Sequence, residues 1–258
     1  IAGLAHAVDR GELSLRYQPV RCLADDRLVA VEALVRWRHP QLGEVSPGEF
    51  IPLAEDSGHI QVIGSWVLQE AISQVGRWDA LGRSLPQLFV NLSAKQLTAD
   101  LPGQVLELLA QHGISRQRLV LELTESQLPG VSGDQALTKL RAARVQVALD
   151  DFGSGYSSLA QLVRLPVDIV KLDRDLVANL GQEGGGAVLT AAVALARSLG
   201  LRTVAEGIET EAERVAVVRA GADLGQGYLL ARPMTPADMC ELIPRHVDVP
   251  LPSRAVRR

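Results

Sequence analysis

Cysteine is nearly missing: Cys22 and Cys240 are the only two in 258 residues. So few rule out a disulfide framework or a cysteine-rich zinc site and point to a reducing, cytoplasmic setting. Long apolar runs are missing as well. The least polar stretch, Ala187–Ala196, is about half of the ~20 residues a membrane-spanning helix requires, so no membrane span is expected in this chain. Neither a fixed-period repeat nor a basic-then-apolar leader occurs, which sets aside solenoids, propellers and a cleaved signal peptide. Residue 1 is Ile rather than Met, and the chain reads as a piece of a longer multidomain protein. Regulatory domains are expected on its N-terminal side, and any membrane anchor outside it. Positive charge is not in excess: 26 Lys and Arg against 30 Asp and Glu leave a net charge of −4. A binder of DNA or RNA duplexes or of membrane surfaces would carry a basic field, so a phosphate ligand must be held locally.

What is present is an alternation of element types. Short apolar runs at Leu13–Val20, Leu28–Val35, Leu88–Asn91, Leu119–Leu123, Gln146–Asp150, Asp168–Leu172 and Arg202–Glu206 have strand length. Between most of them lie segments of helical spacing, ended by glycines such as Gly113 and Gly200 where a left-handed cap fits. Ser46 with Glu49 and Thr210 with Glu213 read as capping boxes, and Thr235-Pro236 as a cap followed by proline at the first helical position. This alternation implies a parallel sheet wrapped by helices, closed as an eight-stranded α/β barrel. Only Arg21–Arg27 joins the first two runs, too short for a helical crossover, so these strands should be antiparallel. The fold class is α/β, a modified (β/α)8 TIM-type barrel with an antiparallel first strand. One domain is expected over residues 1–246, followed by a disordered tail over 247–258. The stretch Gly181–Gly186 lacks the Lys-Ser/Thr of a phosphate-binding loop and reads as a plain loop before a helix.

Acidic and polar residues sit at the C-terminal ends of the runs. By strand parity Glu32 shares a face with Leu28 and Ala30, Glu122 with Val120, Asp150 with Ala148, and Glu206 with Val204. Adding Asn91 and Asp151 brings six oxygen-bearing side chains to the mouth where barrel active sites lie. Each alone would be an ordinary loop residue or helix cap. Together, ionised carboxylates that converge need a cation. The ligand set is all oxygen; His6, His39, His59, His112 and His246 lie outside it. It therefore favours a hard ion, Mg²⁺ or Mn²⁺, and two ions rather than one. Lysine is scarce, at positions 95, 139 and 171 only, and Lys171 alone lies within an apolar strand. A buried lysine beside metal ions can accept a proton, or it can serve as a counter-ion for the carboxylates; the residues leave both open.

The strings YQPV at Tyr17–Val20, EALVRW at Glu32–Trp37, NLSAKQL at Asn91–Leu97, LELTES at Leu121–Ser126, DDFGSGYSSL at Asp150–Leu159, VKLD at Val170–Asp173, AEGIET at Ala205–Thr210 and QGYLLARP at Gln226–Pro233 resemble, in order and spacing, the motifs of the EAL-domain cyclic di-GMP phosphodiesterases. The resemblance implies hydrolysis of one phosphodiester of cyclic di-GMP to linear pGpG with two divalent cations, Mg²⁺ or Mn²⁺. It assigns Glu32, Asn91, Glu122 and Asp150 to one metal, and Asp151 with Glu206 to the other, Asp150 bridging. Lys171 takes the place that activates water, assisted by Gln226. Asp173 and Glu209 stand behind the metal ligands, Arg36 and Gln18 contact substrate, and Glu125 steadies the loop after Asp150-Asp151. That loop, over residues 152–159, implies a homodimer interface. Departures are Arg144, where glycine is common, and Arg21-Cys22 after YQPV; neither falls on a metal position.

Two other readings compete. One is a cyclic di-GMP sensor that does not cut its ligand, which would usually lack some metal or base residues, and none is missing here. The other is a different metal-dependent barrel of glycerophosphodiesterase type, which would typically employ a catalytic histidine. Asp151-Phe152-Gly153 copies a kinase string without its companion motifs, and Asn91-Leu92-Ser93 is a formal glycosylation sequon without a secretion signal.

Overall fold

The structure, a computed structural model, describes residues 3–124, 131–153, 162, 166–181 and 184–245. Nine strands form one sheet: β1 (Leu13–Cys22), β2 (Leu28–His39), β3 (Gly43–Val45), β4 (Gln87–Asn91), β5 (Leu119–Thr124), β6 (Gln146–Phe152), β7 (Ile169–Leu172), β8 (Arg202–Ala205) and β9 (Leu224–Gly225). The sheet runs β1-β9-β8-β7-β6-β5-β4-β2-β3 and closes on itself because β1 also pairs with β2. Eight strands thus make a barrel, with β3 hung on the far end of β2. From β2 through β9 the barrel pairings are parallel, while β1 is antiparallel to both neighbours. The short connection after Cys22 has the consequence expected of it. Strands β3 and β9, three and two residues long, are not legible as apolar runs.

Helices α1 (Pro47–Ser57), α2 (Ile60–Ala80), α3 (Leu101–Gln111), α4 (Val131–Ala142), α5 (Arg174–Ala178), α6 (Gly185–Ser198), α7 (Glu211–Ala220) and α8 (Pro236–Leu242) lie among the strands in chain order. Their ends follow side-chain chemistry. Thr210 N–H donates to Glu213 at 2.9 Å, Glu213 N–H donates back to Thr210 Oγ1 at 3.3 Å, and Asp238 N–H donates to Thr235 Oγ1 at 3.1 Å. Gly113 and Gly200 take φ of 66° and 76°, the left-handed stop that glycine allows at no steric cost. Along α2, Ile60, Ile63, Val67, Leu68, Ala71, Ile72 and Val75 are buried at helical spacing, the stripe that seats the helix on the sheet.

The barrel separates two cores. Val20, Val29, Ala30, Phe89, Val120, Ala148, Ile169, Val204 and Leu224 pack inside it, and a larger cluster fills the space between sheet and helices. Leu28 joins the outer cluster rather than the inner face that parity gave it. Val20 pairs with Ala30 and Arg21 with Leu28, so Val29 is an extra residue in the β1–β2 ladder and turns inward beside Ala30. Beneath the inner cluster, two residues earlier on their strands, lie Gln87, Gln146 and Arg202. Arg202 donates to Gln87 Oε1 at 3.0 Å and to Gln146 Oε1 at 2.6 Å, and Gln87 donates to Gln146 Oε1 at 2.6 Å. Burial pulls the Arg202 guanidinium below its usual range, opposed by Asp168 and Asp223.

This polar layer closes the N-terminal end of the barrel. Arg202→Met would leave both glutamine oxygens without their cationic donor, so the variant should lose about 2–4 kcal/mol of stability, measured by urea denaturation.

Candidate active site

Two residues beyond seven of the nine inner-core side chains, at the opposite end of the barrel, stands a polar one. Ala30 is followed by Glu32, Phe89 by Asn91, Val120 by Glu122, Ala148 by Asp150, Ile169 by Lys171, Val204 by Glu206 and Leu224 by Gln226. Gln18 reaches the same end from the antiparallel β1, two residues before Val20. Strand alternation therefore lifts a polar ring directly above an apolar plug.

Lys171, 2% exposed, is the centre of the ring. Its Nζ lies 2.7 Å from Glu206 Oε1, 2.8 Å from Glu122 Oε1, 3.2 Å from Asp150 Oδ1 and 3.5 Å from Glu32 Oε2. Glu32 is fixed from both sides: Asn91 Nδ2 donates to Oε1 and Gln226 Nε2 to Oε2, each at 2.7 Å. Gln226 also donates to Gln18 Oε1 at 3.0 Å, and Gln18 donates to the Ala231 carbonyl at 3.1 Å.

Asp150 and Asp151 are consecutive, so a regular strand would point them to opposite faces. The β6–β7 ladder prevents this. Leu149 pairs with Val170 and Phe152 with Leu172, leaving Asp150 and Asp151 together opposite Lys171 as a bulge, and Asp151 takes a φ of 56°. One ligand oxygen from each of Asp150, Asp151 and Glu206 then lies within 4.8 Å of the other two, a cluster that could hold a metal ion.

The electrostatics report an unbalanced site. Burial lowers the lysine's affinity for its proton, but Asp150, Glu122, Glu206 and Glu32 together outweigh it, and Lys171 is held well above its ordinary range. Of the two roles the residues leave open for Lys171, counter-ion and proton acceptor, this geometry displays the first, with the carboxylates facing the ammonium directly. Glu122 is pushed well above the carboxylate range by burial and by Glu32. Glu206 is raised to about 8, by burial first and then by Asp150 and Glu32 against the pull of Lys171. Asp151 is raised by burial and by Asp150 and Asp173. Glu32 alone goes down, because Lys171, Gln226 and Asn91 overcome its burial. Neither oxygen of Glu122 receives a well-directed hydrogen bond among the described residues. Glu122 Oε1 has the Lys171 ammonium at 2.8 Å but Oε2 has no donor among those residues, and a buried all-oxygen set with acceptors to spare fits hard divalent cations, which would supply the missing positive charge.

Other expected residues are placed as follows. Asp173 caps α5, accepting from Asp175 N–H at 2.7 Å, with its charge felt at Asp151. Arg36 donates to the Val35 carbonyl at 2.8 Å and lines a cavity of 340 Å³ that opens beside Glu32 and Asn91, walled by Ile51, Ile60, Ile63, Glu55 and Ser93. Glu209 is exposed at the start of α7, its backbone N–H donating to Glu213 at 2.7 Å, and no hydrogen bond joins its side chain to the ring. Glu125, residues 154–159 of the 152–159 loop, and the tail 247–258 lie outside the described residues. From the sequence, Glu55 has no role, and Ser93 only a place in the NLSAKQL string and its formal sequon.

A closed α/β barrel with carboxylates, one amide and one lysine gathered at the C-terminal ends of its strands has the architecture of a barrel enzyme. The EAL domain family model matches residues 2–233. The bifunctional diguanylate cyclase/cyclic di-GMP phosphodiesterase MucR of Pseudomonas aeruginosa is 43% identical over 236 residues, covering 90% of this chain and 34% of its own. The cyclic di-GMP phosphodiesterase PA2567 of the same organism is 38% identical over 245 residues, covering 93% of this chain and 41% of its own. The chain thus spans about a third to two-fifths of the length of these curated relatives. The solved structure of the PaMucR phosphodiesterase in complex with cyclic di-GMP aligns with a TM-score of 0.85 and 41% identity, covering 92% of this chain and 98% of the other. The chain belongs to the EAL domain family.

Lys171→Met would leave the ring without its internal cation. In chelator-treated protein it should cost about 3–5 kcal/mol in urea denaturation, as removal of one partner from a buried ion pair does, and addition of Mg²⁺ should narrow the deficit.

Proposed function

We propose that this domain hydrolyses one phosphodiester of cyclic di-GMP to linear 5′-pGpG, using two Mg²⁺ or Mn²⁺ ions. The observation that carries the reading is the ring itself, four carboxylates within 3.5 Å of a buried lysine in a chain whose relatives include cyclic di-GMP phosphodiesterases. Glu32, Asn91, Glu122 and Asp150 would hold one ion, and Asp150, Asp151 and Glu206 the other. Bound divalent ions supply charge that activates a water and neutralises the attacking and leaving oxygens of an in-line displacement. With divalent ions held by the carboxylates, Lys171 Nζ would be the group placed to accept the proton of the attacking water. Gln226 and Asn91 keep Glu32 aligned, and Asp173 steadies the segment after Lys171. Glu209 and Glu125 are assigned supporting roles by the family resemblance alone. As the water oxygen bonds to phosphorus, the bond to a 3′ ribose oxygen breaks; that oxygen takes up a proton and leaves as a hydroxyl, and the ring opens with a 5′ phosphate.

The cavity beside Glu32 has the shape and chemistry for one guanine. Its walls are mainly aliphatic, with Arg36 and Glu55 as charged groups near the base. Ser93 Oγ donates to Glu55 Oε1 at 2.7 Å and orients the carboxylate. Guanine presents adjacent N–H donors on its pairing edge, which a carboxylate can accept and which adenine cannot match. Gln18 and Arg36 are the further substrate contacts of this reading. The domain organisation that accompanies it is a single barrel over 1–246 within a longer protein, with regulatory domains before it and a homodimer formed near residues 152–159. Among the described residues no helix is long and apolar enough to cross a membrane; a cytoplasmic placement is part of the proposal.

Purified protein with Mg²⁺ or Mn²⁺ and cyclic di-GMP should release pGpG, followed by chromatography. Glu32→Ala or Lys171→Ala should lower kcat by about a hundred- to a thousandfold while circular dichroism in the presence of Mg²⁺ shows an intact fold. Nucleotide binding without turnover by the unaltered protein would favour the sensor reading instead. Glu55→Gln should raise KM about tenfold, because one acceptor for a guanine N–H is replaced by a donor.

A further inference from the structure

Outside the barrel, a groove of 520 Å³ runs between α2, α3 and the segment that joins β4 to α3. Val62, Trp66 and Gln69 stand at helical spacing on one face of α2, and Leu101 and Gln104 of α3 line the other side. Val62 is 54% exposed, apolar surface that the fold leaves open. None of the ten residues that line the groove is ionisable, so its wall holds nothing that would attract a phosphate or a carboxylate. Its volume lies in the range of small-molecule sites.

Two donors on this wall are unused. Gln96 is 5% exposed; its Oε1 accepts from Ser93 N–H at 3.1 Å, and among the described residues its Nε2 donates to none. The indole N–H of Trp66 donates to none of them either. A buried amide donor ordinarily has a partner, so an unused one on the wall of a ligand-sized hollow marks a contact point. Gln96 also lines the cavity beside Glu32, and it stands against Gly64 of α2, where a Cβ would overlap its amide. One glutamine side chain thus separates the two hollows. Ser93, whose N–H it accepts, donates from Oγ to Glu55 Oε1 at 2.7 Å, so the same amide is one residue away from the carboxylate of the inner cavity.

We infer that the outer groove is a second ligand site, for an uncharged planar heterocycle of the nucleobase class, and that its occupancy is felt in the inner cavity through Gln96. Trp66 supplies a stacking face. Its N–H and Gln96 Nε2 supply donors for carbonyls or ring nitrogens, and Gln69 and Gln104 can donate or accept at the edge. A ligand that draws Gln96 Nε2 outward moves the amide that holds Ser93, and Glu55 loses part of its alignment. The coupling rests on the cyclic di-GMP reading above; the site itself does not.

Caffeine serves as the probe: it is planar and uncharged, carries two carbonyl acceptors, and has no N–H to offer Glu55. Ligand-observed NMR titration of the full chain should show saturable binding at about millimolar caffeine. Trp66→Ala should weaken it at least about tenfold. Val62→Glu, which sets a charge at an exposed position of the groove, should do the same with circular dichroism unchanged. No saturable binding, or binding that both variants leave unaltered, would overturn the site. With cyclic di-GMP as substrate, saturating caffeine should raise KM about fivefold in the unaltered protein and have no effect in Trp66→Ala. An equal KM with and without caffeine, or an equal rise in Trp66→Ala, would overturn the coupling. Failure of the unaltered protein to turn over cyclic di-GMP would remove the substrate reading and the coupling, and the caffeine titration would still decide the site.

Discussion

The structure turns on one buried ammonium among four carboxylates. Lys171 with Glu32, Glu122, Asp150 and Glu206 is a cluster in which negative groups outnumber the positive one, placed where water is scarce. Such a cluster is unfavourable unless further positive charge arrives, as protons or as metal ions. The upward shifts of Glu122, Glu206 and Asp151 express that demand. A folded chain keeps such groups together only where the surrounding frame over-determines their positions, and a closed barrel does so: every strand is hydrogen-bonded on both sides, so no ring member can withdraw by fraying.

The two ends of the barrel show how the same lattice serves opposite purposes. Both carry a polar layer two residues from the apolar plug. At the N-terminal end, Arg202 meets two amide oxygens, and the layer is largely satisfied within itself. Around it Arg141 grips Asp168 at 2.8 and 3.2 Å, while Thr203 donates from N–H and Oγ1 to Asp223 at 2.9 and 3.0 Å. At the C-terminal end, carboxylates face carboxylates around a single ammonium, and Glu122 Oε2 has no donor among the described residues. One layer completes the fold; the other leaves an excess of acceptors that a ligand can use.

Much of this was legible before any coordinates. Alternation of apolar and polar residues gave seven of the barrel strands, and the seven-residue Arg21–Arg27 link gave the antiparallel start. Parity placed Glu32, Glu122, Asp150 and Glu206 on inward faces, and their side chains meet around Lys171. Other features escaped because their causes are not local. Strand β9 is two residues long and exists through its neighbours β8 and β1 rather than through any run of its own. The inward turn of Val29 depends on a bulge, which inserts a residue into a ladder and breaks the parity rule at that point; Asp151 was expected at the mouth beside Asp150, but the bulge that brings it there was not. The direction of the Lys171 shift could not be read from residue types. It is a sum over four charges whose distances only folding sets.

The bulge in β6 also joins the metal ligands to the rest of the molecule. Because Asp150 and Asp151 together face one residue of β7, their backbone leaves the regular ladder, and Phe152 re-enters it opposite Leu172. Asp173 N–H then donates to the Phe152 carbonyl at 3.1 Å, and the Asp173 side chain caps α5. Gly153, at a φ of 100°, packs against Leu176 of that helix so closely that a Cβ would lie 2.4 Å from its Cδ1. Gly153 and Asp173 therefore tie α5 to the segment that carries the two aspartates. Oxygen positions at a divalent-ion site are sensitive to shifts of a few tenths of an ångström. The connection from α5 to the carboxylate ring is thus short, running through Asp173, Phe152 and Gly153 to the bulge.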